Sequence, residues 1–284
     1  MLRTVAARRG RVAAARLARH SSVTPNVRPP VENWVIENRL LVAHRSSVVA
    51  ELRSWYDDGS LYGELTQQDH ALQAAHQAAT AGYPETVVVA ALLHDVGWKL
   101  SRDDPSAEQR AEKGETAAVR RPDENSVAEK LGILTVTGIP GASGAQLRAQ
   151  HDVIGGCWLR MTGFDETVAH LTEGHVLAKR YLCYKEPDYA LSEESQETLD
   201  FQGGPMTPLE AAIFERDPMF DTCIQMRRWD EEAKYPDLVV PDLESYFPLI
   251  ERVITAMPSK PGERPGTYLR DGNTIIGLVA EQAS

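Results

Sequence analysis

Cysteine is scarce in this chain and poorly placed for cross-linking. Cys157, Cys183 and Cys223 are odd in number and far apart, which excludes a disulfide framework or a cysteine-based zinc motif and leaves buried thiols in a reducing compartment. Basic charge is also short: 30 Lys and Arg stand against 41 Asp and Glu, a net charge of −11. Nucleic acid is therefore not an expected partner, because phosphate backbones need a basic face. A local basic pocket for a small anion survives that argument. No apolar run approaches the length of a bilayer-spanning helix, so no membrane insertion is expected. Strand-period alternation and solenoid-length repeats are missing from the body of the chain.

The first thirty residues lack acid altogether. Met1 to Pro30 carries seven arginines (Arg3, Arg8, Arg9, Arg11, Arg16, Arg19 and Arg28) with Ala and Val between them, then Ser21-Ser22. That composition predicts an organelle transit peptide, mitochondrial (matrix) first and plastid second. A disordered basic tail on a cytoplasmic protein is the other reading. Either way the segment is set apart from the fold.

What remains is helical by pattern. With 284 residues and 42% hydrophobic content, the chain can bury one large core. Apolar spacing predicts helices over Glu32 to Tyr56, from Thr66 through His70, and from Thr86 to Leu93. Residues 101–129 are charged and poor in apolar side chains, as in a solvated insertion. Further helices are predicted over Ala145 to Met161, Asp165 to Leu182, Ser192 to Leu199, Pro208 to Phe214, Pro218 to Lys234 and Leu243 to Met257. Residues 258–284 read as a loose tail rich in Pro, Gly and charge. The expectation is one all-α domain over about 31–257.

The chain is organised around Ala91-Leu92-Leu93-His94-Asp95-Val96-Gly97-Trp98, where an apolar helix ends in adjacent His and Asp. Imidazole offers a nitrogen lone pair, and a carboxylate can bridge two cations. His70 precedes His94 by 24 residues and His151 precedes His175 by 24. Each gap holds a helix, a turn and a return helix. With Asp230, four imidazoles and two carboxylates suffice for two transition metals inside a bundle. By spacing alone, a set of unrelated core histidines stays equally open. His151-Asp152 is a second His-Asp pair. Asp95 is the preferred ligand because it ends an apolar helix, while Asp152 either faces solvent or orients a ligand. His44, His76 and His170 read as structural.

These residues carry a resemblance. His70…His94-Asp95…Asp230 resembles the H…HD…D signature of the HD-domain superfamily, a helical metal-dependent fold, and His151 and His175 narrow it to the dinuclear branch. Gly174 to Leu182 (GHVLAKRYL), Thr198 to Met206 (TLDFQGGPM) and Arg228 to Lys234 (RWDEEAK) resemble the phosphonate-degrading HD-domain oxygenases. The likeness covers roughly Tyr62 to Lys234. It implies an HD-domain helical bundle with a dinuclear metal site in its core, two iron ions in a mixed-valent Fe(II)/Fe(III) pair, and O2 as co-substrate. The ligands it implies are His70, His94, Asp95, His151, His175 and Asp230, with Asp95 bridging. Lys179, Ser195, Thr198 and Gln202 would bind a phosphonate. Tyr62 would plug the open metal position and Glu64 would read a substrate amine, although the segment is one residue shorter here.

The implied activity is oxidative cleavage of the C–P bond of a 1-hydroxyphosphonate, with 2-amino-1-hydroxyethylphosphonate as the expected substrate and glycine and phosphate as products. A separate hydroxylase would supply that substrate. Trp98 stands where the family has histidine, which removes a polar donor and offers an aromatic face to a cation. The other function open to this fold is a metal-dependent phosphohydrolase acting on a phosphoester or nucleotide, with no need for O2.

Overall fold

The computed structural model describes residues 31–59, 61–62, 64–102, 149–260, 263, 266–271 and 273–279. The expected transit segment and nearly all of the charged insertion lie outside the described residues. The chain divides into two compact units, residues 1–38 and 39–284. A long helix, α1 (Val31–Tyr56), begins in the first, and all that follows concerns the second.

Short strands β1 (Leu61–Tyr62) and β2 (Leu65–Thr66) pair antiparallel and lead into α2 (Gln67–Thr80). Thr66 starts that helix by a reciprocal capping box. Its Oγ1 accepts from the Asp69 amide at 3.0 Å, and the Asp69 carboxylate accepts the Thr66 amide. In α3 (Glu85–Leu93) every residue from Val87 to Leu93 is buried. A helix apolar on all sides belongs in the middle of a bundle. It ends at His94-Asp95, and α4 (Val96–Arg102) begins at once.

The next hairpin joins α5 (His151–Thr162) to α6 (Glu166–Lys185), with the Asp165 side chain accepting from the Thr167 amide. Beyond it come α7 (Glu193–Leu199), a 3-10 turn at Asp200–Gln202, α8 (Pro208–Phe214) and α9 (Phe220–Glu232). A second 3-10 turn, Leu243–Tyr246, leads into α10 (Phe247–Val253). Here one continuous helix to Met257 was expected. Asp242 instead caps a tight turn, and the helix ends where Ile254 turns to extended backbone. Helix α6 is central and packs on α5, α9 and α3, while α2 packs on α3 and α9. The architecture is the all-α bundle that the pattern implies. Among the described residues no helix is long and apolar enough to cross a membrane.

The C-terminal tail departs from expectation. Strands β3 (Tyr268–Asp271) and β4 (Thr274–Leu278) form an antiparallel hairpin whose Tyr268, Ile275 and Leu278 join the core. The cause lies in two fully buried arginines, Arg160 on α5 and Arg180 on α6. A buried guanidinium must fill its donors or lose several kcal/mol. Arg160 holds Glu173 in a two-pronged pair (2.6 and 3.1 Å) and also donates to Thr267 Oγ1 at 3.0 Å. Arg180 donates to Glu210 at 2.7 Å and to the Asn273 carbonyl at 2.8 Å. Acceptors that come from a distant backbone leave no trace in composition.

Gly97 sets how closely the helices approach. A Cβ at this position would lie 1.9 Å from the His151 carbonyl oxygen, so the residue two beyond Asp95 must be glycine for α4 to meet α5. Gly97→Ala should cost about 3 kcal/mol or more in urea unfolding, as overpacking against rigid backbone does. Gly82→Ala is the comparison, since Gly82 has open space and a φ of 77°; there the left-handed backbone alone should cost about 1 kcal/mol.

Candidate metal centre

Four helix ends and one helix middle deliver six ligand-type side chains to one point. His70 comes from α2, His94 and Asp95 from the end of α3, His151 from the start of α5, His175 from the middle of α6 and Asp230 from the end of α9. They form two trios, His70/His94/Asp230 and Asp95/His151/His175, each with ligand atoms within 4.8 Å of one another. Asp95 turns one oxygen to each trio. Its Oδ1 lies 3.2 Å from His151 Nε2 and 3.7 Å from His175 Nε2. Its Oδ2 lies 3.5 Å from His94 Nε2 and 3.8 Å from His70 Nε2. Asp230 Oδ1 closes the first trio, 3.3 Å from His70 and 3.6 Å from His94.

The imidazole hydrogen bonds decide what this arrangement is for. His70 Nδ1 meets the Ala233 carbonyl at 2.9 Å, His94 Nδ1 that of Ala91 at 2.8 Å, and His175 Nδ1 that of Thr172 at 2.7 Å. A carbonyl can only accept, so each Nδ1 carries the proton and each neutral ring turns an Nε2 lone pair inward. His70 and His94 then oppose lone pair to lone pair at 3.2 Å, and the Nε2 atoms of His151 and His175 stand 2.9 Å apart. Facing lone pairs at that range repel unless a cation or a proton lies among them. Burial resists charging His94, yet Asp95 and Asp230 outweigh it and lift its pKa to about 9, so a proton and a metal ion compete for the same Nε2 lone pair. Burial likewise opposes ionised Asp95, and the charge of His94 outweighs it, holding the carboxyl well below its usual range. Six deprotonated donors of mixed nitrogen and oxygen type, two trios and one shared carboxylate fit a pair of transition-metal ions.

One cavity opens on this centre. Asp95, His151, His175 and Asp230 line it together with Tyr62, Lys179, Ser195 and Thr198. His70 and His94 are buried behind, and the Tyr62 ring stacks on His70 with centroids 4.1 Å apart. Lys179, one helical turn past His175, is only 3% exposed. Its ammonium donates to the Ser195 carbonyl at 3.1 Å and to Thr198 Oγ1 at 3.0 Å. Burial, with help from Arg227, lowers its pKa to about 7. Gln202 ends the turn after α7, is 3% exposed and does not line the cavity, and neither end of its amide has a hydrogen-bond partner among the described residues. Such an orphan costs about 1–3 kcal/mol unless a ligand or water meets it. Glu64 is exposed in the turn between β1 and β2 and does not line the cavity.

Sequence reasoning left several residues unassigned. Arg227 donates to Asp230 and Glu231 and, at 3.0 Å, to Ser195 Oγ. It thereby orients a candidate ligand and a candidate anion donor together. Its spacing of three and four residues from Asp230 and Glu231 on one helix was the available signal. Gln67, Glu194 and Glu197 also line the cavity, and nothing in their local sequence marks them. Asp152 is buried and accepts from Arg270 at 3.0 Å, so the solvent-facing reading of it fails. His170–Asp217–Cys223 is a further cluster of ligand-type groups, in which His170 donates to Asp217 at 2.8 Å and Tyr268 bonds the same carboxylate.

Metal content is the direct check on this geometry. His70→Ala and His175→Ala should each reduce tightly bound metal from about two to about one per chain. Asp95→Ala should lower both sites' occupancy at least tenfold, since it serves each trio.

The chain has named relatives. No family model matches the chain. A hydroxymethylphosphonate dioxygenase of Gimesia maris is 35% identical over 201 residues, covering 70% of this chain and 80% of that protein. The [1-hydroxy-2-(trimethylamino)ethyl]phosphonate dioxygenase (glycine-betaine-forming) of Leisingera caerulea is 29% identical over 223 residues, 74% of this chain and 92% of that one. The matched stretch, the helical bundle and the metal-ready core agree, and the chain belongs to the HD-domain phosphonate dioxygenases, oxygenases that act on a C–P bond.

Proposed function

We propose that the protein cleaves 2-amino-1-hydroxyethylphosphonate with O2 to glycine and inorganic phosphate, using a mixed-valent Fe(II)/Fe(III) pair held by His70, His94, Asp95, His151, His175 and Asp230. The observation that carries the reading is Lys179, a buried ammonium in the same cavity as both trios. An ammonium with lowered pKa, bonded only to neutral oxygens, gains most from an anion delivered to it. The two named relatives act on hydroxyphosphonates, which favours this class over a phosphoester.

The reaction balances without another oxidant. The C–P and C1–H bonds break, one new oxygen ends on carbon and one on phosphorus, and a proton is released. When bound, the metal pair supplies O2 activation and a Lewis-acid anchor for the substrate's oxygens. The chain's own residues bind and orient. Lys179, with the Thr198 hydroxyl, offers donors to the phosphonate. Arg227 holds the Ser195 hydroxyl in place on the same side. Tyr62 fills cavity space against His70 and is displaced as the substrate enters. Its phenol stays protonated, because burial and then the Asp230 and Asp95 carboxylates push its pKa well up.

The amine end of the substrate is assigned from charge. With Glu64 exposed, the carboxylates that line the cavity beyond the metal ligands are Glu194 and Glu197. Glu194 is half-buried and stands in the first turn of α7. Trp98 lies in the same lining, its ring 5.4 Å from that of His151. A cavity lined by an ammonium, by carboxylates and by an indole suits a zwitterion. The C1 hydroxyl has to be installed beforehand by a separate hydroxylase.

Turnover of iron-loaded protein, in air and without it, tests the function. Phosphate release matched one-for-one by O2 uptake and abolished anaerobically is expected, whereas phosphate release indifferent to O2 would establish hydrolysis instead. Glu194→Gln should raise KM for the aminated substrate about tenfold and leave hydroxymethylphosphonate unaffected. The pH profile of kcat/KM, which reports the free enzyme, should fall as pH rises through about 7, because Lys179 is charged only below its lowered pKa. Lys179→Arg stays charged and should remove that alkaline limb.

A further inference from the structure

Two glutamines of α2 are buried, Gln73 at 1% exposure and Gln67 at 7%. The fold answers the first of them completely. Gln73 Nε2 donates to the Tyr235 carbonyl at 2.7 Å, and its Oε1 accepts the Tyr235 amide at 3.1 Å. Gln67 is treated differently. Its side-chain amide makes no hydrogen bond among the described residues, yet it is not sealed off as the amide of Gln202 is. Gln67 lines the cavity that opens on the metal centre. Its backbone is nonetheless fixed, because it follows the Thr66 cap directly as the first residue of α2. It stands one helical turn before His70, on the same face. Gln67 thus adjoins a residue of the first trio as Lys179 adjoins one of the second.

The other polar groups of the wall have their assignments. Lys179 answers an anion, and Glu194 and Glu197 answer a cation. The hydroxyls of Thr198 and Ser195 already accept from Lys179 and Arg227. An amide is neutral and both gives and takes a hydrogen bond. Its complement on a hydroxyphosphonate is the C1 hydroxyl, which is likewise uncharged, a donor and an acceptor. C1 carries the phosphorus as well, so a substrate whose phosphonate meets Lys179 brings that hydroxyl into the cavity Gln67 lines. From this we infer that Gln67 is a substrate-binding residue that recognises the C1 hydroxyl, and by it the site tells a hydroxyphosphonate from the plain phosphonate. The claim rests on the hydroxyphosphonate reading above. A site that hydrogen-bonds a substrate hydroxyl discriminates steeply against the analogue without one, whereas an apolar wall barely distinguishes the two.

The test compares two ligands that differ only in the hydroxyl, hydroxymethylphosphonate and methylphosphonate. Their dissociation constants are measured by calorimetry on the metal-loaded full chain, without O2 so that nothing turns over, and bound metal is measured alongside. The wild-type protein should bind the hydroxylated ligand at least about tenfold more tightly. Gln67→Leu keeps the size and the helix propensity of the residue and removes its polar atoms. It should weaken hydroxymethylphosphonate about tenfold, the scale of one hydrogen bond, and leave methylphosphonate within about twofold. Gln67→Glu keeps an acceptor and adds a negative charge. It should weaken both ligands together and hold their ratio within about threefold of the wild-type value. Metal content should stay unchanged in both variants.

A Gln67→Leu protein that keeps the full preference for the hydroxylated ligand would overturn the proposal. So would an equal loss of both ligands in that variant, which would make Gln67 a phosphonate donor, or equal wild-type constants, which would leave no hydroxyl recognition to assign. Loss of metal in both variants would make the residue a support for His70 and overturn it too. A wild-type protein whose preference passes through Gln67, but which shows no O2-linked phosphate release, would fault the functional reading and leave the role of Gln67 standing.

Discussion

The structure depends on a repulsion that has to be cancelled. Backbone carbonyls accept the Nδ1 protons of His70, His94 and His175, so the Nε2 lone pairs of the neutral rings converge at distances near 3 Å. Without positive charge among them, α2, α3, α5 and α6 would be pushed apart at their most buried level. Two cations sharing Asp95, as the proposed function has them, would turn that repulsion into a cross-link between the helices. Fold and function meet here, since the packing that brings the helices together also gathers the six ligand-type side chains.

Charge in the rest of the molecule is organised around the same need. Arg227 satisfies the outer oxygen of Asp230 and reaches Ser195. Arg160 and Arg180, buried on the two helices beside the centre, reach instead for the C-terminal hairpin. A fully desolvated guanidinium is costly unless its donors are filled. The bundle therefore recruits Thr267 and Asn273, distant in sequence, to complete it. Lys179 is the exception, an ammonium bonded only to neutral oxygens, and that incompleteness suits it to an anion.

Much of the centre was legible in sequence because helices keep a fixed rise and face. Equal spacings of 24 residues between His70 and His94, and between His151 and His175, become a shared level once each pair sits on a helix and its return. Lys179 four residues after His175, and Arg227 three before Asp230, are likewise neighbours by helical geometry alone. The apolar run before His94 announced its own burial. Glu64 shows the boundary of that logic. It stands in a turn, where no period says which way a side chain faces, and the structure turns it to solvent.

By itself the sequence marked the helical bundle through local periodicity, while the six ligand-type residues were singled out by spacing and resemblance together and Lys179 by the resemblance. The tertiary structure alone decided which oxygen of Asp95 faces which trio, that Glu194 and not Glu64 lines the cavity, and that Gln202 is left without a partner. It also decided that residues past 258, polar and rich in Pro and Gly, fold back as a hairpin onto two buried arginines. The hairpin depends on acceptors 107 and 93 residues from the arginines they meet, a meeting set by how the helices pack and written in no local pattern.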